Sequence, residues 1–131
     1  MVPKDLKYTS NHEWLRVKGR TAYLGLTEFA LKGLGKVLNL ELPIKDDELL
    51  VGVGLGDVET TDAIHEIISP AEGIVTEVNK SVLNNPGVVQ KDPYKRGWLL
   101  KIRLSSPPRV DTLLTDEEYL SRVQKKPKRV K

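Results

Sequence analysis

The stretch VETTDAIHEIISPAEGIVTEV, residues 58–78, contains the pattern that decides the fold of this chain. Val58-Glu59 and Glu66-Ile67-Ile68 have strand character, whereas Thr60–Ile64 between them does not, so we predict a β-hairpin with an exposed tip. A turn-forming Ser-Pro-Ala-Glu-Gly segment follows. Ile74–Val78 then alternates apolar and polar residues, as is typical of a half-buried strand.

Similar short runs extend on both sides of this hairpin. Glu13–Val17 and Thr21–Leu26 flank a glycine turn and predict a second hairpin. Lys36–Leu42 and Trp98–Leu104 predict two further strands. Many short strands at close spacing, without long βα alternation, predict an all-β fold with small helices, arranged as a sandwich or barrel.

The predicted helices are few and short. Thr27 is a suitable N-cap and Gly33 a suitable terminator, so Glu28–Lys32 is predicted as a brief helix. Thr115–Glu118 forms a capping box, which predicts a C-terminal amphipathic helix.

Charge is distributed unevenly along the 131 residues. The net charge is +3, but residues 121–131 hold six of the 21 Lys and Arg residues and no acid, which leaves 15 basic against 18 acidic residues elsewhere. The length fits one domain, predicted at residues 1–123, followed by a basic and flexible tail at 124–131. The body has no second basic face with aromatic residues, so nucleic-acid binding is not expected.

Composition excludes several classes of function. There are no cysteines, so disulfides, thiolate metal sites and cysteine nucleophiles are ruled out. We find no apolar run of membrane-spanning length and no signal- or transit-peptide pattern, so we expect no membrane association and a cytoplasmic location.

The densest polar cluster consists of Asp57, Glu59, Asp62, His65 and Glu66. Carboxylates and an imidazole are suitable for metal binding or acid–base chemistry. However, side chains alternate between the faces of a hairpin, so Asp57 and Glu59 share a face and need not meet His65. A solvated hairpin is therefore the favoured interpretation.

No catalytic motif is present elsewhere. Gly52–Gly56 is glycine-rich but lacks the GxGxxG spacing and the P-loop lysine, and glycines that allow bending or close packing explain it better. His12-Glu13 is not followed by the second histidine of an HExxH motif. The chain is not expected to be an enzyme.

A family resemblance emerges from motifs spread over residues 6–120. These are His12-Glu-Trp-Leu15, Leu24-Gly-Leu-Thr27, Leu34-Gly35, Leu42-Pro43, Val58-Glu59, Ser69-Pro-Ala-Glu-Gly73, Val78-Asn79, Pro93-Tyr94, Gly97-Trp98 and Tyr119-Leu120. With them the chain resembles the H protein of the glycine cleavage system. The resemblance implies a hybrid barrel–sandwich like that of lipoyl and biotinyl domains, plus a C-terminal helix. It also implies lipoate on a lysine at the hairpin tip, visiting a decarboxylase, an aminomethyltransferase and a dihydrolipoyl dehydrogenase.

The chain departs from the family at that tip. The family reads Val-Glu-Ser-Val-Lys-Ala where this chain has Val58-Glu-Thr-Thr-Asp-Ala63, so the lipoyl lysine falls on Asp62. No lysine occurs between Lys45 and Lys80. The family residues Glu59 and Gly73 are retained around the site. A carboxylate has no nucleophilic amine, so we expect no lipoyl cofactor on this chain.

Two functions from different classes follow from the resemblance. The first is a non-lipoylated, monomeric homologue that binds protein partners of a glycine-cleavage or other lipoate-dependent system. The alternative is a working carrier that shuttles the methylamine group of glycine from decarboxylase to aminomethyltransferase, which requires that Asp62 replaces a natural lysine.

Overall fold

The computed structural model describes residues 2–108 and 113–123. These residues form nine strands and three short helices. The strands are β1 (Lys7–Tyr8), β2 (Glu13–Lys18), β3 (Thr21–Leu26), β4 (Val37–Glu41), β5 (Glu48–Leu49), β6 (Gly54–Thr60), β7 (Ile64–Ile68), β8 (Gly73–Val78) and β9 (Leu100–Leu104). The helices are α1 (Lys80–Asn84), α2 (Val88–Lys91) and α3 (Asp116–Val123).

The strands form two antiparallel sheets. The larger sheet has the order β1-β2-β3-β9-β8-β5, and the smaller has the order β4-β6-β7. The predicted hairpins are present as β2–β3 and β6–β7. The hairpin β6–β7 is longer than the sequence indicated, because β6 begins at Gly54 and the register shifts between Gly54 and Gly56. Such a bulge allows the strand to bend, as the glycines of this segment predicted.

One hydrophobic core joins the two sheets. Leu24 and Ile102 of the larger sheet and Val58 and Ile67 of the smaller sheet are all fully buried in the same cluster. One face of each sheet lies in this core. The opposite face of the smaller sheet is exposed at Glu59 and Glu66, whereas that of the larger sheet is partly covered by the C-terminal helix. The burial of the core residues is the main favourable contribution to the stability of the fold.

A second, aromatic cluster packs the C-terminal helix against the larger sheet. The rings of Tyr8 and Tyr119 are stacked, with centroids 4.8 Å apart, and Trp14 is buried beside them. The capping box at the start of α3 is confirmed: Thr115 N donates to Glu118 Oε1 at 2.9 Å, and Glu118 N donates to Thr115 Oγ1 at 3.2 Å.

The helix predicted at Glu28–Lys32 is wrong. The segment is instead a succession of turns, in which the amide of Ala30 bonds to the Thr27 carbonyl and that of Leu34 to the Leu31 carbonyl. Thr27 still caps the segment through the Phe29 amide. A five-residue segment gains too few i→i+4 bonds to offset the cost of helix nucleation, so tertiary packing decides its conformation.

Two further sequence predictions concern the C-terminal tail and a membrane-spanning segment. The predicted tail at residues 124–131 lies outside the described residues, so the domain boundary at 123 stays a prediction. Across residues 2–108 and 113–123, every helix is too short or too polar to cross a lipid bilayer.

Candidate functional site

The tip of hairpin β6–β7 is a tight turn of three residues. Thr60, the last residue of β6, donates its amide to the Ala63 carbonyl at 2.8 Å, and its Oγ1 accepts the Ala63 amide at 3.1 Å. Thr61 and Asp62 are exposed, as predicted for the tip, and Thr60 is buried beneath them. The turn therefore presents the side chain of Asp62 to solvent on a defined backbone.

The tip rests on the loop between β3 and β4. The amide of Thr61 donates to the Lys36 carbonyl at 2.9 Å, and the amide of Asp62 donates to the Leu34 carbonyl at 3.1 Å. Gly35 lies between these two carbonyls with φ +91°, and a Cβ added there would collide with Thr61 Oγ1. Gly35 is thus required both for the left-handed backbone and for the close approach of the tip.

The Gln90 side chain of α2 supports this loop from the other side. Its Nε2 donates to the Gly35 carbonyl at 2.8 Å, and its Oε1 accepts the Val37 amide at 3.1 Å. A single amide group can satisfy both backbone atoms because it offers a donor and an acceptor side by side. No local sequence pattern indicates this role of Gln90, since its partners lie more than 50 residues away in the chain.

The polar cluster near the tip is divided between the two faces of the small sheet. Asp57 pairs with Glu66, whereas His65 pairs with Val58 on the opposite face, as the alternation predicted. Glu59 is exposed on the same face as Asp57. No group of three or more His, Asp or Glu side chains within residues 2–108 and 113–123 is placed to hold a metal ion.

Gly73, the third predicted site residue, lies away from the tip. It is buried in the larger sheet, where it pairs with Leu49 of β5 and Leu104 of β9. A Cβ added to Gly73 would collide with the carbonyl oxygen of Arg103. The structure thus places Glu59 and Asp62 at the same hairpin, and it gives Gly73 a packing role in the other sheet.

A buried carboxylate that no sequence pattern indicated joins the two sheets. Glu13 is only 1% exposed, and its Oε2 accepts the Ile68 amide of β7 at 3.1 Å and Asn11 Nδ2 at 2.6 Å. Thr9 Oγ1 donates to Glu13 Oε1 at 2.5 Å, and Asn11 also donates to the Glu66 carbonyl at 3.0 Å. Burial raises the pKa of Glu13, and the three hydrogen bonds oppose that rise. We call this group of contacts the Glu13 junction.

Two histidines lie beside the Glu13 junction. His12 Nδ1 is 2.6 Å from the Tyr119 hydroxyl, which in turn is 2.6 Å from Thr27 Oγ1. Burial, and then the neighbouring His65, lowers the pKa of His12, and burial lowers the pKa of His65. Burial likewise raises the pKa of Tyr119 to about 12. At neutral pH both imidazoles and the phenol are therefore uncharged, as a partly apolar setting requires.

Comparison with known proteins identifies the family. The model of the family "Glycine cleavage H-protein" matches residues 6–126. The chain belongs to the glycine cleavage H-protein family. It is 42% identical over 119 residues to the glycine cleavage system H protein of Carboxydothermus hydrogenoformans, covering 91% of this chain and 92% of that protein. It is 40% identical over 122 residues to the H protein of Nostoc punctiforme, covering 93% of this chain and 95% of that one.

A solved structure supports the same conclusion for the fold. The crystal structure of a glycine cleavage system H protein from Mycobacterium marinum matches with a TM-score of 0.85 at 30% identity, covering 94% of this chain and 99% of that one. The hybrid barrel–sandwich with a C-terminal helix, expected from the resemblance, is thereby confirmed. H proteins are carriers and not catalysts, so the prediction that this chain is not an enzyme is confirmed as well.

The residues at the tip do not fit the cofactor that the family implies. A lipoyl group is joined to its carrier through the amine of a lysine, and the turn Thr61–Ala63 contains no amine side chain. Lys36 is in the supporting loop and bonds to the tip through its backbone amide and carbonyl. We therefore derive no carrier step through lipoate for this chain.

Proposed function

We propose that this chain is a non-lipoylated H protein that binds protein partners of a glycine-cleavage or other lipoate-dependent system without carrying their substrate. The observation that carries the proposal is Asp62 at the exposed turn. Its backbone amide bonds to the Leu34 carbonyl, and its side chain has no amine that a lipoylating enzyme could modify. We further propose that the protein is monomeric and cytoplasmic.

The support for a retained binding role comes from the tip as a whole. Thr60, Thr61, Gly35 and Gln90 form a complete hydrogen-bonded support for the turn. A well-defined surface around the tip is what partner docking needs, because rigid elements present contacts at low entropic cost.

A first experiment tests the missing modification. The natural chain, Asp62→Lys and Asp62→Asn are each co-expressed with a lipoate ligase and lipoate, and intact masses are measured. We expect a lipoyl adduct on Asp62→Lys alone, with Asp62→Asn as the control for loss of charge. An adduct on the natural chain would overturn the proposal.

A second experiment tests partner binding. The natural chain is added to an aminomethyl-transfer assay that contains a lipoylated H protein, the decarboxylase and the aminomethyltransferase. A partner-binding homologue should inhibit the assay competitively, and excess lipoylated H protein should relieve the inhibition. The absence of both inhibition and retention of any of these enzymes on the immobilised chain would exclude the glycine cleavage system as its partner.

The working carrier is the alternative, and the 42% identity over nearly the whole chain favours it. It requires an amine at position 62. Once lipoylated, Asp62→Lys should then support aminomethyl transfer with the standard enzymes. If the lipoylated variant is inactive, the surfaces around the tip have diverged as well, and the alternative is rejected.

A further inference from the structure

Two rows of side chains cross the outer face of the larger sheet, beside the aromatic cluster. Each row has a cation on β2, an uncharged residue on β3 and a cation on β9. Arg16, Tyr23 and Lys101 form the first row, and Lys18, Thr21 and Arg103 form the second. Ala22 and Ile102, their neighbours in the chain, are fully buried in the core, so both rows face away from it. We call these six residues the basic face.

The cations of the basic face are close together. Since β2 and β9 flank β3, their backbones are about 10 Å apart, and the two rows lie about 7 Å apart along the strands. Lys18 and Arg103 are exposed, and Arg16 and Lys101 are half-buried. Four positive charges at this spacing repel one another, so an occupant with negative charge is favoured.

The acids around the basic face neutralise only part of its charge. In the part of the chain that the structure describes, the ion pairs found include one of its four cations, Arg16, which is 3.9 Å from Asp5. Glu77 lies opposite Lys101 on β8, and Glu48 lies at the far end of the second row on β5. These two acids border the basic face on one side and leave the part from β2 to β9 positive.

Aromatic rings hold two of the cationic side chains over the sheet. Lys101 Nζ is 5.8 Å from the centre of the Tyr23 ring, and Arg16 Cζ is 5.3 Å from that of Trp14. Arg16 Nη2 also donates to the Tyr94 carbonyl at 3.1 Å. Such contacts restrict the side chains before a partner binds, so less conformational entropy is lost on binding.

The arrangement of the rings decides which anion fits. Single-stranded nucleic acid binds where aromatic faces are open to successive bases. Here the Tyr23 ring is 5.3 Å from the Trp98 ring at an angle of 90°, and Lys101 lies over Tyr23. A perpendicular pair of rings does not stack successive bases, so the surface offers charge alone. Carboxylates need only that charge, and alternate residues of an extended chain project to one side about 7 Å apart, as the two rows do.

We propose that the basic face binds an extended acidic segment of a protein partner. That the chain binds proteins rests on the proposed function, and the basic face adds a second docking surface and the charge of its occupant. This surface belongs to the larger sheet, whereas the hairpin tip belongs to the smaller one. The expectation that the body has no second basic face with aromatic residues is wrong, because β2, β3 and β9 are distant in the chain and only the sheet brings their cations together.

Fluorescence anisotropy of the full chain with a labelled peptide tests the proposal. The probe is a short peptide of alternating glutamate and threonine. A peptide with lysine in place of glutamate and an oligothymidylate of similar length are measured beside it. We expect the glutamate peptide to bind at low salt and the lysine peptide not to bind. Binding should be lost at about 0.5 M NaCl, because exposed ion pairs are screened by salt.

Substitutions locate the binding site, since residues 124–131 also hold five Lys and Arg residues. Lys18→Gln, Lys101→Gln and Arg103→Gln together should raise the dissociation constant of the glutamate peptide about tenfold. Lys18→Arg with Lys101→Arg retains the charges and should bind as the natural chain does. Circular dichroism checks that the variants are folded. The single exposed change Arg103→Gln, expected to raise the constant about twofold, replaces the triple variant if that variant is unfolded.

A matched set of substitutions removes the same charge elsewhere. Lys45→Gln, Lys80→Gln and Lys91→Gln, three exposed cations outside the larger sheet, should leave the dissociation constant within about twofold. Equal weakening in both sets, no effect of either set, no binding of the glutamate peptide, or tighter binding of the oligothymidylate through the same three cations would each overturn the proposal.

The aminomethyl-transfer assay separates this proposal from the proposed function. Inhibition of that assay by a chain that does not bind the glutamate peptide would reject the basic face and keep the proposed function. Peptide binding that depends on the basic face, without inhibition or retention of the glycine-cleavage enzymes, would keep the basic face and exclude that system as the partner.

Discussion

The hairpin tip and the Glu13 junction both tie β6–β7 to the rest of the molecule, but they do so with different atoms. At the tip, the amides of Thr61 and Asp62 bond to backbone carbonyls of the supporting loop. At the junction, the side chain of Glu13 makes the contacts. Within the described residues the Asp62 side chain accepts no hydrogen bond. The junction therefore depends on the side chain at 13, whereas no hydrogen bond of the described residues accepts at the side chain of residue 62.

The largest effect is expected at the junction. Glu13→Ala leaves the Ile68 amide, the Asn11 amide group and the Thr9 hydroxyl without their acceptor in a buried site, so we expect a loss of about 3 kcal/mol in the free energy of unfolding. Urea denaturation followed by circular dichroism measures it. The control is Glu59→Ala, an exposed carboxylate, which should change the value by no more than about 0.5 kcal/mol. Similar losses in the free energy of unfolding for the two variants would contradict the claim that the Glu13 side chain stabilises the fold and the Glu59 side chain does not.

A glycine pair tests the backbone support of the tip. Gly33 and Gly35 have positive φ values of 79° and 91°, but a Cβ would meet open space at Gly33 and Thr61 Oγ1 at Gly35. We expect Gly33→Ala to cost about 1 kcal/mol from the left-handed backbone alone, and Gly35→Ala about 2 kcal/mol. Thermal unfolding checks the difference. Amide exchange at Thr61 and Asp62 should accelerate only in Gly35→Ala, and equal behaviour of both variants would mean that the loop does not support the tip.

Acid should lower the free energy of unfolding through His12 and His65, which lie beside the Glu13 junction. The pKa values of His12 and His65 are lowered in the folded protein, so below pH 6.5 the unfolded chain takes up protons that the folded chain does not. The free energy of unfolding should therefore fall as the pH is lowered from 6.5, and it should level off above that value. The raised pKa of Glu13 acts in the opposite direction, so the measured quantity is the difference between the natural chain and His65→Asn. This difference in the free energy of unfolding should shrink as the pH falls. A difference that stays constant would contradict a lowered pKa of His65 in the folded protein.

The sequence predicted those parts of the molecule that are governed by local pattern. Alternation identified β4, β8 and β9, and the Thr115–Glu118 capping box identified α3. It failed at Glu28–Lys32, where local signals for a helix were outweighed by packing. The contacts of Glu13 with Ile68 and of Gln90 with Gly35 each cross 55 residues of sequence, so no local pattern contains them.

In the candidate site, too, the sequence predicted the local features and not the contacts between distant residues. The exposed tip and the position of Asp62 followed from the motifs, because the hairpin is a local structure. The separate location of Gly73 could not be predicted, since it depends on which sheet β8 joins. Sequence alone likewise gave no reason to connect Gly35 with the tip, although its left-handed backbone and its contact with Thr61 are decisive for the turn.

The smallest effect on stability is expected at Asp62 itself. Asp62→Lys and Asp62→Asn should each change the free energy of unfolding by less than about 0.5 kcal/mol, because the side chain is exposed and its backbone bond to Leu34 is unaffected. Urea denaturation of both variants beside the natural chain checks this. A loss above about 1 kcal/mol in Asp62→Asn would show that the carboxylate stabilises the turn, and Asp62 would then have a structural role. Unchanged stability would instead separate the two requirements at this position: the fold needs only the amide nitrogen of residue 62, and lipoylation needs only its side chain.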